Sequence, residues 1–272
     1  MKNLKFNYHE FDHEIDVCIF CDKPKKVDII LPVFNDVLLA SYFIQKLNKY
    51  TNPKDYNLWI IDGGSTDPET LKYLEGIIHY GTEARKKEID FNVNVVYHRT
   101  ANKVWGGSKN HGENLNSLIG SGLLTSKNCL LVHSDSLIIS SKYFPYILGK
   151  IDEGNCAVSN FTNWENDKGM KFYHCSGLLT NREFIIENKI DCRPNKPAYD
   201  TIGMISVKLK EHNKKVFIMP NSRNNTELRK YHAWDHARGC ESFDEETPPN
   251  CLLAHQGRGS SQLNRGGWFD FK

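Results

Sequence analysis

The sequence predicts an α/β fold built on a mostly parallel sheet flanked by helices, and three observations carry that prediction. Short apolar runs alternate four times with segments of helical period between residues 27 and 133. The connections between them are short. Each run ends among Gly, Asn, Asp or Ser, where the strands of such sheets turn into helices, and right-handed crossovers then make neighbouring strands parallel.

Residues 27–33, Val-Asp-Ile-Ile-Leu-Pro-Val, read as a buried strand stopped at Pro32, because proline cannot continue a central ladder. Val37, Ala40, Phe43, Ile44 and Leu47 then recur at three and four positions, one face of a helix that Asn52-Pro53 closes. Residues 58–61 form a second strand that breaks into Asp62-Gly63-Gly64-Ser65-Thr66-Asp67-Pro68. Asp67 has the position of an N-cap with Pro68 at the first helical residue, and Leu71, Leu74 and Ile78 give this helix its buried face. A third strand at 93–97 leads through the loop 103–108 into a helix carrying Leu115, Leu118 and Ile119, and a fourth strand spans 129–133. Residues 1–25 read as an arm or small extra strand, 26–140 as a ligand-binding half and 141–272 as a second half of the same domain, richer in Trp, His and Asn.

Composition excludes several classes. The chain has 272 residues, with 39% hydrophobic and 25% charged residues, so wholesale disorder is ruled out. Its net charge is +2, from 35 Lys and Arg against 33 Asp and Glu, and gives no global attraction to nucleic acid. No run approaches the roughly 18 apolar residues of a membrane span, and residues 1–10 lack a signal-peptide stretch, so a cytoplasmic protein without a transmembrane segment is expected. The eight cysteines read mostly as reduced core residues; Cys18-x-x-Cys21 has half-site zinc spacing but no second close pair.

Ligands of parallel sheets sit at the carboxyl ends of the strands, where Asn35, Asp36, Asp62, Gly106, Gly107 and Asp135 fall. The Asp62 carboxylate could accept the imide N–H of uracil or the amidine edge of guanine, or it could bond the backbone of its own Gly-rich turn. The segment 105–109 opens a helix whose free N–H groups suit a diphosphate, with Lys109 adding a charge. Asp135, in His133-Ser134-Asp135-Ser136, is placed to hold a hard divalent cation between two phosphates, or to cap a strand-end turn.

In this order, Pro32-Val33-Phe34-Asn35-Asp36, Asp62-Gly63-Gly64-Ser65-Thr66-Asp67, Asn110-His111-Gly112 and His133-Ser134-Asp135 resemble the successive blocks of family 2 glycosyltransferases of the GT-A fold. The resemblance covers about residues 26–140 and thins out afterwards. It implies a GT-A fold, an inverting transfer of a sugar from a nucleotide-diphospho-sugar such as a UDP-sugar, and dependence on Mn²⁺ or Mg²⁺. It implies further that Pro32, Val33, Phe34, Asn35 and Asp62 face the nucleotide, that Lys109, Asn110 and Ser134 lie near the diphosphate, and that Asp135 holds the metal. Two positions depart from the family pattern. Gly63 stands where the family has a second acid, and His133 replaces the first Asp of an Asp-x-Asp motif, an imidazole that suits Mn²⁺ better than Mg²⁺.

The family also supplies a general base before a helix under the acceptor, and Pro197-Ala198-Tyr199-Asp200-Thr201 stands there, ahead of the apolar stripe Ile202, Ile205 and Leu209. Asp200 is the candidate base, with a helix N-cap as its alternative role; Asp191 and Asp235 are reserves. The late segment 252–261 resembles the His-containing loop that completes such sites. It offers His255 to the metal and Arg258 and Ser260 to phosphate oxygens, with His232 and His236 as competitors. Trp164, Trp234 and Trp268 could stack on a sugar ring or pack in the core. The expected partners are a sugar nucleotide and a glycan, glycolipid or other hydroxyl acceptor, with peripheral membrane contact left open and polysaccharide assembly as the setting. The rivals are an inactive glycan-binding scaffold of the same fold and a sugar-nucleotide pyrophosphorylase, whose Gly-rich signature the 32–35 segment lacks.

Overall fold

A computed structural model describes residues 1–101, 107–165, 169–195, 198–231 and 240–255. The chain opens with a hairpin, β1 (Lys2–Tyr8) and β2 (Phe11–Cys18), and continues as β3 (Val27–Val33), α1 (Val37–Tyr50), β4 (Tyr56–Asp62), α2 (Pro68–Lys86), β5 (Val93–His98), α3 (Ser108–Gly120) and β6 (Asn128–Leu131). Then follow β7 (Ser136–Ile138), α4 (Tyr143–Asp152), β8 (Ala157–Ser159), β9 (Thr162–Glu165), β10 (Lys171–Tyr173) and β11 (Leu178–Asn181). The last elements are α5 (Arg182–Glu187), α6 (Gly203–Glu211), β12 (Val216–Ile218), β13 (Cys240–Phe243) and β14 (Cys251–His255).

The main sheet has the order β1-β2-β5-β4-β3-β6-β11-β8-β12, and among its strands only β2 and β11 run against the others. This is the α/β architecture the alternation predicts. Strand alternation divides the core into two layers. Ile29, Leu31 and Val33 face α1, α2 and α4, whereas Ile30, Trp59 and Ile61 face α3, α5 and α6. Asp67 caps α2 as read from sequence, accepting from Thr70 N at 2.8 Å. The strand through Pro32 runs one residue past it. Pairing with β6 ends at Ile30, so the missing N–H of Pro32 costs no ladder bond on that side.

The N-terminal arm is a hairpin that extends the sheet beside β5. Its docking uses two buried imidazoles: His13 Nδ1 lies 3.1 Å from His98 Nε2. Burial, with His98 adding, pushes the pKa of His13 down to about 4. An imidazole kept neutral by the fold stabilises it above the unfolded pKa of about 6.5, and that contribution fades as pH falls toward 4. His13→Gln should therefore lower Tm at pH 8, and the gap to the parent protein should narrow by pH 5. Melting curves at the two values check this; a gap that widens in acid refutes it.

The eight cysteines are free thiols, five of them buried, and no described helix is long and apolar enough to cross a membrane.

Candidate active site

The carboxyl ends of β3 and β6 form the floor of a cleft of about 380 Å³, walled by the first turn of α3 and by the segment entering α6. Pro32, Val33, Phe34, Asn110, Ser134, Asp135 and Asp200 all line it. Gly107, at φ +84°, turns the chain into α3 at its rim.

Asp135 is buried on this floor, and His255, remote in sequence, reaches it through register. In the small sheet β13-β14-β7, His255 pairs with Ser136, which sets His255 Nε2 3.3 Å from Asp135 Oδ1. His133 Nδ1 lies 3.7 Å from the same oxygen. Asp36 forms a second buried carboxyl: Ser134 Oγ donates to its Oδ2 and Phe34 N to its Oδ1. Burial pushes its pKa up to about 7, and the nearby charges of Asp135 and Asp62 act in the same direction.

Asp62 does not line this cleft but a neighbouring cavity with Tyr97 and Arg99, and its Oδ1 accepts from Ser65 N at 2.9 Å. Of its two sequence readings, the turn-capping one is formed. Asn35, at φ +52°, accepts from Thr66 N and Asp67 N at 2.8 and 2.9 Å, tying the ends of β3 and β4 together. Lys109 is exposed and is not among the residues lining the cleft. Asn110 belongs to a buried relay. His13 Nδ1–H reaches His98 Nε2, His98 Nδ1–H reaches Asn114 Oδ1 at 2.8 Å, Asn114 Nδ2 donates to Asn110 Oδ1 at 2.9 Å, and Asn110 Nδ2 donates to Gly63 O at 3.0 Å. A Cβ on Gly63 would lie 2.4 Å from both Asn110 Oδ1 and Asn114 Nδ2. A side chain at this position would therefore have to displace the relay.

On the opposite wall, α6 begins after Ile202, whose φ of +60° places a β-branched residue in the left-handed region. Ile202 N donates to Cys192 O at 2.9 Å, and Thr201 Oγ1 donates to Ser108 O at 2.8 Å, fixing this turn against the start of α3. Asp200 is thus not the N-cap of α6. It accepts from Thr201 N at 2.8 Å and sits in the cleft at a strained turn, as functional groups often do. The reserve Asp191 is engaged elsewhere, in a two-pronged pair with Arg193 and a bond from Asn116 Nδ2 at 2.7 Å. Arg258, Ser260, His232, His236, Asp235, Trp234 and Trp268, and the side chain of Trp164, lie outside the described residues.

Three residues that the sequence reading gave no role in the site, His111, His174 and Cys175, line the cleft. The pairing of Leu178 with Leu131 carries the preceding residues of β11 back past His133, so His174 and Cys175 enter the cleft. Cys175 Sγ lies 2.7 Å from His133 Nε2, and His111 packs edge-on against His133 with ring centroids 4.5 Å apart. Burial pushes the pKa of His133 down to about 4, those of His111 and His174 well below the usual imidazole value, and that of the Cys175 thiol well above its own. The imidazoles are therefore neutral near pH 7 and carry lone pairs. With the Asp135 carboxylate, they make a donor set that fits a divalent cation.

The strand order and this cleft define the chain as an α/β protein of the GT-A fold. The mannosyltransferase PcManGT from Pyrobaculum calidifontis, in complex with GDP-Man and Mn²⁺, matches it with a TM-score of 0.52 at 15% identity, over 73% of this chain and 55% of that one. S. aureus TarS 1-349 matches at 16% identity with a TM-score of 0.49, over 71% of this chain and 58% of that one. The chain thus spans little more than half the length of these structures. No protein-family model and no curated protein matches the sequence.

Proposed function

We propose that the protein is an inverting glycosyltransferase that moves a sugar from a nucleotide-diphospho-sugar, a UDP-sugar by preference, to a hydroxyl of a glycan or glycolipid acceptor. The reading places the enzyme in the cytoplasm, in the assembly of a polysaccharide, with residues 26–140 as the donor half and 141–272 as the acceptor half. One observation carries it: the β3 and β6 ends, the start of α3 and Asp200 converge on a single cleft with Asp135 on its floor.

In this reading Pro32, Val33 and Phe34 border the nucleotide, with Asp62 holding the turn behind them. The first turn of α3, with Ser108 and Asn110 lining the cleft, presents the positive end of its helix dipole to the diphosphate. Asp135 and His255 would hold a divalent cation, whose charge would offset that developing on the departing diphosphate. Asp200 takes the acceptor hydroxyl proton as that oxygen attacks the anomeric carbon from the face opposite the leaving group. The bond to the diphosphate breaks with inversion, and the diphosphate keeps the electron pair.

The test uses a panel of UDP- and GDP-sugars, with divalent cation and no acceptor. Slow hydrolysis of at least one donor is expected, accompanied by a rise in Tm when the donor binds. Asp135→Ala should remove at least about a hundredfold of that turnover. Absence of both binding and hydrolysis across the panel would leave the inactive scaffold as the better account.

A further inference from the structure

Three imidazoles meet beside Asp135: His133 and His174 line the cleft, and His255 reaches the same carboxylate. One ring nitrogen of each of His133, His174 and His255 lies within 4.8 Å of the other two. Their ring centroids stand 5.1, 4.9 and 5.9 Å apart. Two ligands of one transition ion are about 3.3–3.8 Å apart when each bond is about 2.0–2.3 Å. From separations within 4.8 Å, the nitrogens need to approach by at most about 1–1.5 Å to reach it.

The rings are held from behind. Phe161 stacks on His174 with centroids 4.7 Å apart and an interplanar angle of 20°. His174 Nδ1 lies 2.8 Å from Ser176 Oγ, itself fixed by Asn160 Nδ2 at 2.8 Å. His174 Nδ1 also accepts from Ser176 N at 3.2 Å, so a metal at Nε2 requires the other tautomer, in which Nδ1–H donates to the Ser176 hydroxyl. In the same way, an Nε2–H of His133 directed at Cys175 Sγ leaves Nδ1 facing Asp135. Metal-binding imidazoles show this arrangement, with one nitrogen held by a neighbour and the other presented to the ion. Asp135 Oδ1, near both His133 Nδ1 and His255 Nε2, brings the negative charge a divalent cation needs.

We propose that this cleft binds a borderline transition cation of the Zn²⁺ class through His133, His174, His255 and Asp135, in place of a hard Mg²⁺ or Mn²⁺ held by carboxylates alone. Mg²⁺ takes oxygen ligands and keeps its waters, whereas imidazole favours Zn²⁺, Co²⁺, Fe²⁺ and Ni²⁺. His133, in place of the first acid of the motif, belongs with His174 in one nitrogen-rich set. A second triad, His111, His133 and Cys175, meets the same distance condition but has no carboxylate within it. The inference takes the cleft to be the donor site proposed above, and its test reads metal binding apart from turnover.

The metal-free protein is titrated with Co²⁺ and then with Zn²⁺. Expected are visible d–d bands of one bound Co²⁺, their displacement by one equivalent of Zn²⁺, and no displacement by a large excess of Mg²⁺. X-ray absorption of the Zn²⁺-loaded parent protein should show nitrogen and oxygen at about 2.0 Å with imidazole scattering, and no sulfur at about 2.3 Å. His174→Gln should weaken Co²⁺ binding at least about tenfold, and Cys175→Ser, whose hydroxyl keeps a partner for His133 Nε2, should weaken it far less. No Co²⁺ uptake, equal competition by Mg²⁺, or a sulfur shell would each overturn the proposal, the last in favour of the cysteine triad. Donor hydrolysis in Mg²⁺ without Co²⁺ uptake defeats this inference alone; imidazole-bound Zn²⁺ without nucleotide binding defeats the donor-site reading alone.

Discussion

Asp200→Asn should lower the rate of sugar transfer to an acceptor by about 10² to 10⁴-fold while leaving Tm within about 1 °C of the parent, since it removes a general base and keeps the size and shape of the side chain. The structure separates this role from that of a helix cap. The cap position of α6 belongs to Ile202; the main-chain carbonyl of Asp200 accepts from Gly203 N–H at 2.9 Å, and its carboxylate from Thr201 N–H. An Asn side chain accepts that same N–H with its amide oxygen, so the turn, fixed by Thr201 to Ser108 and by Ile202 to Cys192, keeps its anchors. Donor hydrolysis without acceptor supplies the internal control, because water needs less help from a base fixed at the acceptor side. The expected signature is a fall in transfer with donor KM unchanged. A transfer rate within tenfold of the parent would move the base elsewhere, and a large fall in Tm without a fall in rate would return Asp200 to a structural part.

The legibility of this chain follows the range of its contacts. The stretch from β3 to β6 was readable because each strand, turn and helix announces itself within a few residues: alternation of core faces, the Asp67-Pro68 start of α2, the Gly-rich breaks. The four strand ends could therefore be lined up before their side chains were seen. What sequence spacing could not supply was anything set by register between distant strands. His174 and Cys175 face His133 only because β11 returns antiparallel beside β6, and His255 meets Asp135 only because β14 lies beside β7. Single polar residues inside apolar runs were equally silent. Asp62 reads the same whether it faces a base or its own turn; in the fold its Oδ1 accepts from Ser65 N–H. Gly63 looked like a lost acid, and the Asn110–Asn114 relay gives it a steric reason.

The same silence covers Asp28, whose replacement should have the largest effect on stability. It sits fully buried in β3, in an apolar run that gives no hint of its role. Oδ1 accepts from Asn57 Nδ2 at 3.0 Å and Trp59 Nε1 at 3.3 Å; Oδ2 accepts from Thr125 N at 2.8 Å and Ser126 N at 2.7 Å. One carboxylate thus joins β3, β4 and the loop that leads into β6. Asp28→Ala leaves four buried donors around a void, and each unsatisfied donor costs about 1–3 kcal/mol before relaxation, so a loss of about 3–5 kcal/mol is expected. Asp28→Asn tests whether acceptors or volume matter: it fills the space but turns an NH₂ toward donors, so it should recover little of the loss. Denaturant unfolding of both variants reads the result, and an Asn variant within about 1 kcal/mol of the parent would assign the role to volume. Asp28 lies near the start of β3 and the cleft at its end, so turnover per folded molecule should stay unchanged in either variant. A fall in that quantity would mean that this carboxylate reaches the site through the strand, which hydrogen bonds at the far end of a β3 paired with β4 along its whole length give no means of doing.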